Sequence, residues 1–136
     1  YWIVKKFDKA RVYMFDFSSE AINWCKKTFP FKEKAVIWQA SIENIKYQEE
    51  DLSNKFDVIT CIDVTEHLPN DLYKAGIKEM FRVLKPGGAL ILMQGNTKEN
   101  PEHINVLPEK ELLKNFLDCG FKLSQYLPER HYKLTK

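Results

Sequence analysis

Phe56-Asp57-Val58-Ile59-Thr60-Cys61-Ile62 is the run on which the fold turns. Nearly all of it is apolar or β-branched and it lacks a polar–apolar alternation, so it suits a strand covered on both faces. Strands of that kind belong to parallel sheets flanked by helices. The residues on either side fit this. Downstream, after Pro69, Asn70 is placed to cap a helix whose Leu72, Ile77, Phe81 and Leu84 share one face. Lys85-Pro86-Gly87-Gly88 ends that helix and turns into a strand, Ala89 to Gln94. A polar loop then leads to a helix with Pro108 at its start, Leu112, Leu113, Phe116 and Leu117 inside, and Gly120 as its stop. Phe121 to Leu127 and His131 to Leu134 read as a closing antiparallel pair.

Upstream of the same run, a polar stretch rich in Glu and Lys separates it from a strand at Ala35 to Gln39. Before that, Val12-Tyr13-Met14-Phe15 reads as a strand ending at Asp16. Ser18 or Ser19 caps the helix that follows, with Glu20 in its first turn. Ala21, Ile22, Cys25 and Phe29 recur at helical spacing until Pro30 closes the element. Trp2, Ile3, Val4 and Phe7 look like the last turns of a preceding helix, so the chain opens inside a pattern at Tyr1.

The chain has 136 residues, 44% of them hydrophobic, enough for the core of one domain spanning 1–136. A formal net charge of +2 argues against nucleic acid or an anionic membrane surface as partner. Cys25, Cys61 and Cys119 are far apart and odd in number, which disfavours a disulfide framework and suggests a reducing, cytoplasmic setting. The apolar runs are too short for a membrane span. Trp24 and Trp38 fit either a core or a pocket wall. Lys5-Lys6 and the tail from Arg130 to Lys136 read as solvated surface. Oligomeric state is not legible.

In parallel α/β sheets ligands sit beyond the carboxyl ends of the strands. Three strand ends therefore matter: Asp16, Ser41-Ile42 and Cys61-Ile62-Asp63. An acid at Asp16 is suited to accept from two ribose hydroxyls, or to start the following helix through local hydrogen bonds. In Asp63-Val64-Thr65-Glu66-His67, helical geometry would put positions i, i+3 and i+4 on one face. That grouping serves as a general base, as an oxygen/nitrogen metal site, or as a polar cluster anchoring the loop. His103 lies in the loop after the strand ending at Gln94. It is read either as solvated or as a residue contacting substrate.

Val12 to Ile22, Phe56 to Pro69 and Phe81-Arg82-Val83-Leu84-Lys85-Pro86-Gly87-Gly88 together resemble class I S-adenosylmethionine-dependent methyltransferases. The resemblance covers nearly the whole chain and includes the spacing between blocks. It implies a Rossmann-like, mostly parallel α/β sheet with an antiparallel C-terminal strand pair. It further implies S-adenosyl-L-methionine as cofactor, with Asp16 on the ribose and Phe17 against the adenine. Ser41 and Ile42 would flank the adenine edge, and Cys61 and Ile62 would border the methionine moiety. On the acceptor side it leaves Asp63, His67 and His103 as candidate catalytic groups, with any metal unassigned. Asp-x-x-Glu-His at Asp63 to His67 is similar to the Glu-x-x-Glu-His of ubiquinone-pathway O-methyltransferases, which favours a phenolic or lipid-like acceptor and a divalent ion.

Two departures stand out. Ser41 replaces an acid that is common in the family, and a hydroxyl accepts without charge assistance. The family's Gly-rich loop, which lies between a first strand and first helix, has no counterpart ahead of Asp16. The expectation is an N-terminally incomplete domain, with the first strand and loop missing from between the strands ending at Asp16 and Ile62. Residues 1–136 alone are then expected to bind the cofactor weakly or not at all.

The expected activity is methyl transfer to an oxygen or nitrogen of a small-molecule acceptor. The Asn/Asp-Pro-Pro-aromatic signature of base methylation is absent, and Cys61-Ile62-Asp63-Val64 stands in its place. Three alternatives stay open: a nicotinamide-dependent dehydrogenase, an inactive methyltransferase-like binding subunit, and a truncated remnant.

Overall fold

The computed structural model of the chain describes residues 2–95, 97, 99–128 and 131–136. Tyr1 and Arg130, placed by the sequence in a helix tail and a basic tail, lie outside those residues. The elements run α1 (Trp2–Lys6), β1 (Val12–Asp16), α2 (Ser19–Thr28), β2 (Ala35–Gln39), β3 (Phe56–Ile62), α3 (Asn70–Val83), β4 (Leu84–Met93), α4 (Glu109–Asp118), β5 (Lys122–Leu127) and β6 (His131–Thr135). Short 3-10 turns occupy Lys32–Lys34 and Thr65–His67.

The strands form two sheets. β1 and β2 pair in parallel, and a second sheet has the order β3-β4-β6-β5. Within it β3 and β4 are parallel, whereas β6 runs antiparallel to both β4 and β5. Among the described residues β1 and β3 each pair with one strand, and a cleft of about 760 Å³ lies between them. Tyr13 of β1 reaches across to Phe56 of β3, with ring centroids 5.2 Å apart. No strand separates β1 from β3 among the described residues.

β3 is not covered on both faces: Val58, Thr60 and Ile62, which share one face, are exposed. Cys61 is buried, but Val58 is 57% and Ile62 42% exposed. Val58 lines the cleft, and Ile62 is open to solvent. On its other edge it is well held: β4 contributes Leu90 and Leu92, both fully buried and two residues apart, as one sheet face requires. α3 packs against this core through Tyr73, Ile77, Met80 and Val83, and α4 through Leu112 and Phe116. Each such side chain contributes roughly 1.5–3 kcal/mol by burial.

Several local readings change. The cap of α3 is Pro69, not Asn70, and it acts through its carbonyl, which accepts from Tyr73 N–H at 2.9 Å. The buried face of α3 carries Tyr73, Gly76, Ile77, Met80 and Val83 rather than Leu72 and Phe81. Its choice follows the packing of Gly76 under Ile42, whose side-chain carbons would lie 3.1–3.3 Å from any added Cβ. Lys85-Pro86-Gly87-Gly88 is not a separate turn. It lies within β4 as a bulge, between the pairings Phe56↔Leu84 and Val58↔Ala89. Gly87 there has φ +76°, a conformation glycine adopts without a Cβ penalty.

The C-terminal tail is structural as well. Tyr132 and Leu134 are buried, and Lys136 Nζ donates to Leu84 O at 2.9 Å and Asn54 Oδ1 at 2.7 Å. Lys5 and Lys6 are exposed as expected. Trp38 is in the core and Trp24 is 67% exposed.

Candidate functional site

The carboxyl ends of β1, β2 and β3 carry the residues expected to meet a nucleotide. Parallel pairing aligns Asp16 with Gln39, so the ends of β1 and β2 are level. Asp16 Oδ1 accepts from Ser18 N–H at 2.8 Å, and Ser18 Oγ in turn accepts from Ala21 N–H at 3.2 Å. Asp16 thus does start α2 through a local bond, which engages one carboxylate oxygen. Phe17, the next residue, is 78% exposed, and its carbonyl is held by Gln39 Nε2 at 2.8 Å. An aromatic ring held out from an anchored backbone is a surface on which a flat base can stack.

After β2, the Ser41 hydroxyl donates to the Glu43 carboxylate, leaving the serine oxygen's lone pairs to accept. Ile42 is half-buried against Gly76 and lines the cleft. At the end of β3, Cys61 lines the cleft too, whereas Ile62 is open to solvent. Burial, with the Glu66 carboxylate adding to it, pushes the Cys61 thiol up to about 12. Cys61 is therefore a neutral apolar wall and no nucleophile.

The segment after β3 departs from the helical grouping. Asp63 has φ +52° and precedes the turn, and only Thr65–His67 is helical. Asp63 is exposed, and its N–H donates to Met93 O at 3.3 Å. Positions 63, 66 and 67 do not share a face. Glu66 and His67 instead meet His103: one ligand atom from each of the three lies within 4.8 Å of the others. The rings of His67 and His103 are edge to face with centroids 4.8 Å apart.

The network that holds them was not read from the sequence. Gln94, at the end of β4, is 1% exposed. Its Nε2 donates to Thr65 Oγ1 at 3.0 Å and Asn105 O at 3.1 Å, and its Oε1 accepts from Leu107 N–H at 2.9 Å. Gly95 N–H donates to Glu66 Oε1 at 2.5 Å, and Asn105 N–H to Glu66 O at 2.9 Å. These bonds fasten the loop after β4 to the turn after β3. The available signal was a lone amide closing the apolar run Ala89 to Met93.

The sequence model of the family described as "Methyltransferase domain" matches residues 2–92. A sterol 24-C-methyltransferase of Aspergillus fumigatus is 32% identical over 88 residues, covering 52% of this chain and 23% of that protein. A ubiquinone biosynthesis O-methyltransferase of Pseudomonas fluorescens is 32% identical over 66 residues, covering 43% of this chain and 27% of its own length. The chain thus spans about a quarter of these relatives. Among solved structures, a SAM-dependent methyltransferase from Aquifex aeolicus superposes with a TM-score of 0.75 at 19% identity, over 99% of this chain and 74% of that one. A Burkholderia thailandensis 1,6-didemethyltoxoflavin-N1-methyltransferase, bound to 1,6-didemethyltoxoflavin and S-adenosylhomocysteine, gives 0.67 at 15% identity over 92% and 59%. Strand ends, motif blocks and the family match agree: the chain belongs to the class I S-adenosylmethionine-dependent methyltransferase family.

Proposed function

We propose that the chain forms the adenosine- and acceptor-binding part of an enzyme that methylates an oxygen or nitrogen of a small molecule. The observation that supports it most is the alignment of Asp16, Phe17 and Ser41 at neighbouring strand ends. The second oxygen of Asp16 suits a ribose hydroxyl, Phe17 an adenine face, and the Ser41 oxygen an exocyclic amine. These side chains fit the adenosine half of S-adenosylmethionine. All five of the chain's glycines follow Asp16, so the residues named here serve the adenosine half of the cofactor.

When bound, S-adenosylmethionine supplies a methyl group already activated by its sulfonium, ready for in-line displacement. The protein's work is then alignment, which supplies roughly 7–11 kcal/mol of barrier reduction when donor and acceptor are held at near-attack geometry. Ile62 and Cys61 shape the apolar wall near the methyl-bearing end. Asp63, exposed beside that wall, is placed to take a proton from a hydroxyl acceptor. His67 and His103, whose rings meet edge to face, are the further candidates. The relative named as a ubiquinone biosynthesis O-methyltransferase supports an oxygen acceptor.

Titration of the chain with S-adenosylhomocysteine, followed by amide chemical shifts, tests this. The expected shifts fall on Asp16–Phe17, Ser41–Ile42 and Cys61–Asp63, with a dissociation constant weaker than micromolar. Asp16→Ala abolishes them and Asp16→Asn leaves a remnant. Shifts confined to other strand ends, or undiminished by Asp16→Ala, reject the assignment.

A further inference from the structure

We infer that Glu43 sets the purine specificity of the site: acting through the Ser41 hydroxyl, it makes the site select a 6-amino purine over a 6-oxo purine. This role rests on the adenosine reading above and adds a discrimination to it.

The turn after β2 brings the two side chains together. Asn44 N–H donates to Ser41 O at 3.1 Å, which closes a tight turn over residues 41–44. Both sides of that turn are fixed. Ahead of it, Ala40 N–H donates to Asp16 O at 3.0 Å and Gln39 Nε2 to Phe17 O at 2.8 Å. The chain therefore enters the turn beside the acid and the exposed ring at the end of β1. Within the turn Ile42 packs over Gly76, and beyond it Ile45, 2% exposed, donates its N–H to Glu79 Oε2 at 2.9 Å. Glu43 is half-buried, and its Oε2 accepts the Ser41 hydroxyl proton.

The specificity follows from where that one proton goes. A serine hydroxyl has a single proton and two acceptor lone pairs, and left free it rotates to suit either kind of partner. It would donate to the oxygen of a 6-oxo purine as readily as it accepts from a 6-amino group. An ionised carboxylate only accepts, so the Ser41 proton is committed to Glu43. Ser41 then shows a base lone pairs alone. An amino group donates to them, whereas a carbonyl oxygen meets them lone pair to lone pair.

The same bond improves Ser41 as an acceptor. A hydroxyl donating to a carboxylate is charge-assisted and polarised, which strengthens its oxygen toward a second donor. Among the described residues no ion pair draws the Glu43 carboxylate away. Phe17 does not make the choice, because stacking on an aromatic ring tolerates any base. Asp16 does not make it either, since the ribose it suits is common to both nucleosides. Glu43 is thus a positioning residue, and Ser41 is the contact.

The test compares S-adenosylhomocysteine with S-inosylhomocysteine, which carries hypoxanthine in place of adenine. Each is titrated into the whole chain and followed by amide chemical shifts. The unsubstituted chain is expected to prefer the adenine form by about 10-fold, as one such hydrogen bond in a half-buried site provides. Glu43→Ala frees the hydroxyl and brings that preference to about 2-fold or less, while Glu43→Gln, whose amide either accepts from Ser41 or donates to it, falls between. Ser41→Ala also removes the preference, and adding Glu43→Ala to it changes nothing further, as for two residues acting through one contact. A merely structural role for Glu43 would weaken both ligands alike and leave their ratio intact. A ratio in Glu43→Ala equal to that of the unsubstituted chain therefore overturns the inference while the adenosine reading stands. So does a further fall when Glu43→Ala is added to Ser41→Ala. Absence of shifts at Asp16, Phe17 and Ser41 with both ligands rejects the adenosine reading and this role with it.

Discussion

His67 and His103 meet edge to face with ring centroids 4.8 Å apart, one from the turn after β3 and the other from the loop after β4. Neither element positions its histidine alone. Each ring is tied by Nδ1 to a carbonyl of that same loop, Glu102 O for His67 and Thr97 O for His103. The loop after β4 is therefore both the source of one ring and the brace of both. Whatever loosens it separates the pair.

Gly95 is where that dependence is most exposed. Gly95→Ala sets a methyl group 2.6 Å from Glu66 Oε1 and 3.0 Å from His103 Cε1. The neighbours must shift, and the partly buried Gly95–Glu66 bond lengthens with them. Overpacking of this kind costs about 1–3 kcal/mol. The expected outcome is a lower Tm together with loss of the His67–His103 ring contact, read as a change in both imidazole shifts. A variant with unchanged Tm and histidine shifts shows that the loop closes differently.

Gln94 makes the complementary case, through hydrogen bonds rather than space. Gln94→Leu keeps the buried volume but leaves Leu107 N–H and Asn105 O without their side-chain partner. These groups are partly buried, so each lost bond costs about 1 kcal/mol. Gln94→Glu retains the acceptor for Leu107 N–H yet loses the donor to Thr65 and Asn105. Chemical denaturation is expected to rank the unsubstituted chain above both variants. Hydrogen exchange at Leu107 separates them, faster in Gln94→Leu than in Gln94→Glu. Slow exchange in both would assign Leu107 N–H a different acceptor.

Cys61 offers a test of burial at the cleft. Its thiol is 4% exposed and is pushed up to about 12, so almost no thiolate exists near neutrality. Cys25 and Cys119 are only partly covered. Alkylation with iodoacetamide at pH 8, followed by peptide mass spectrometry, is expected to modify Cys25 and Cys119 and spare Cys61 until denaturant is added. Early labelling of Cys61 means the cleft opens far enough to expose the wall.

Much of this architecture is visible in the sequence because its signals are local. Val12 to Asp16, Ala35 to Gln39 and Phe56 to Ile62 are each bounded by turn residues, and each forms the expected strand. The cap at Ser18 and the stop at Gly120, where φ is +110°, follow from single-residue chemistry. What fails is what depends on partners distant in the chain. The run Phe56 to Ile62 has the composition of a doubly covered strand, but coverage is set by its neighbours, and Val58, Thr60 and Ile62 on one face are exposed. Asp63, Glu66 and His67 look like one helical face, yet the positive φ at Asp63 breaks the helix before it begins. His103 joins Glu66 and His67 only because Gln94 pins the intervening loop, and no spacing rule encodes that.

The ion pair between Glu79 and Arg82 carries the last prediction, concerning acid. Arg82 Nε donates to Glu79 Oε1 at 2.8 Å and its Nη2 to Oε2 at 2.8 Å, a two-pronged arrangement on one turn of α3. Glu79 Oε2 also accepts from Ile45 N–H at 2.9 Å, and Arg82 Nη2 reaches Ile45 O at 3.0 Å. The pair thereby clamps the segment between β2 and β3 onto α3. The Arg82 hydrogen bonds hold the Glu79 carboxyl below its ordinary value of 4.5, against a smaller opposing effect of burial. A carboxyl depressed in the folded state stabilises above its unfolded value, and the contribution is lost as pH falls through the folded one. With Arg82 about a third exposed, solvent screens the pair, so the effect is modest. Between pH 7 and pH 3 the Tm is expected to fall more steeply for the unsubstituted chain than for Glu79→Gln. Arg82→Met is expected to lower the Tm at pH 7 and to flatten the same slope. Parallel acid profiles for all three proteins would show that the clamp draws nothing from the charge on Glu79.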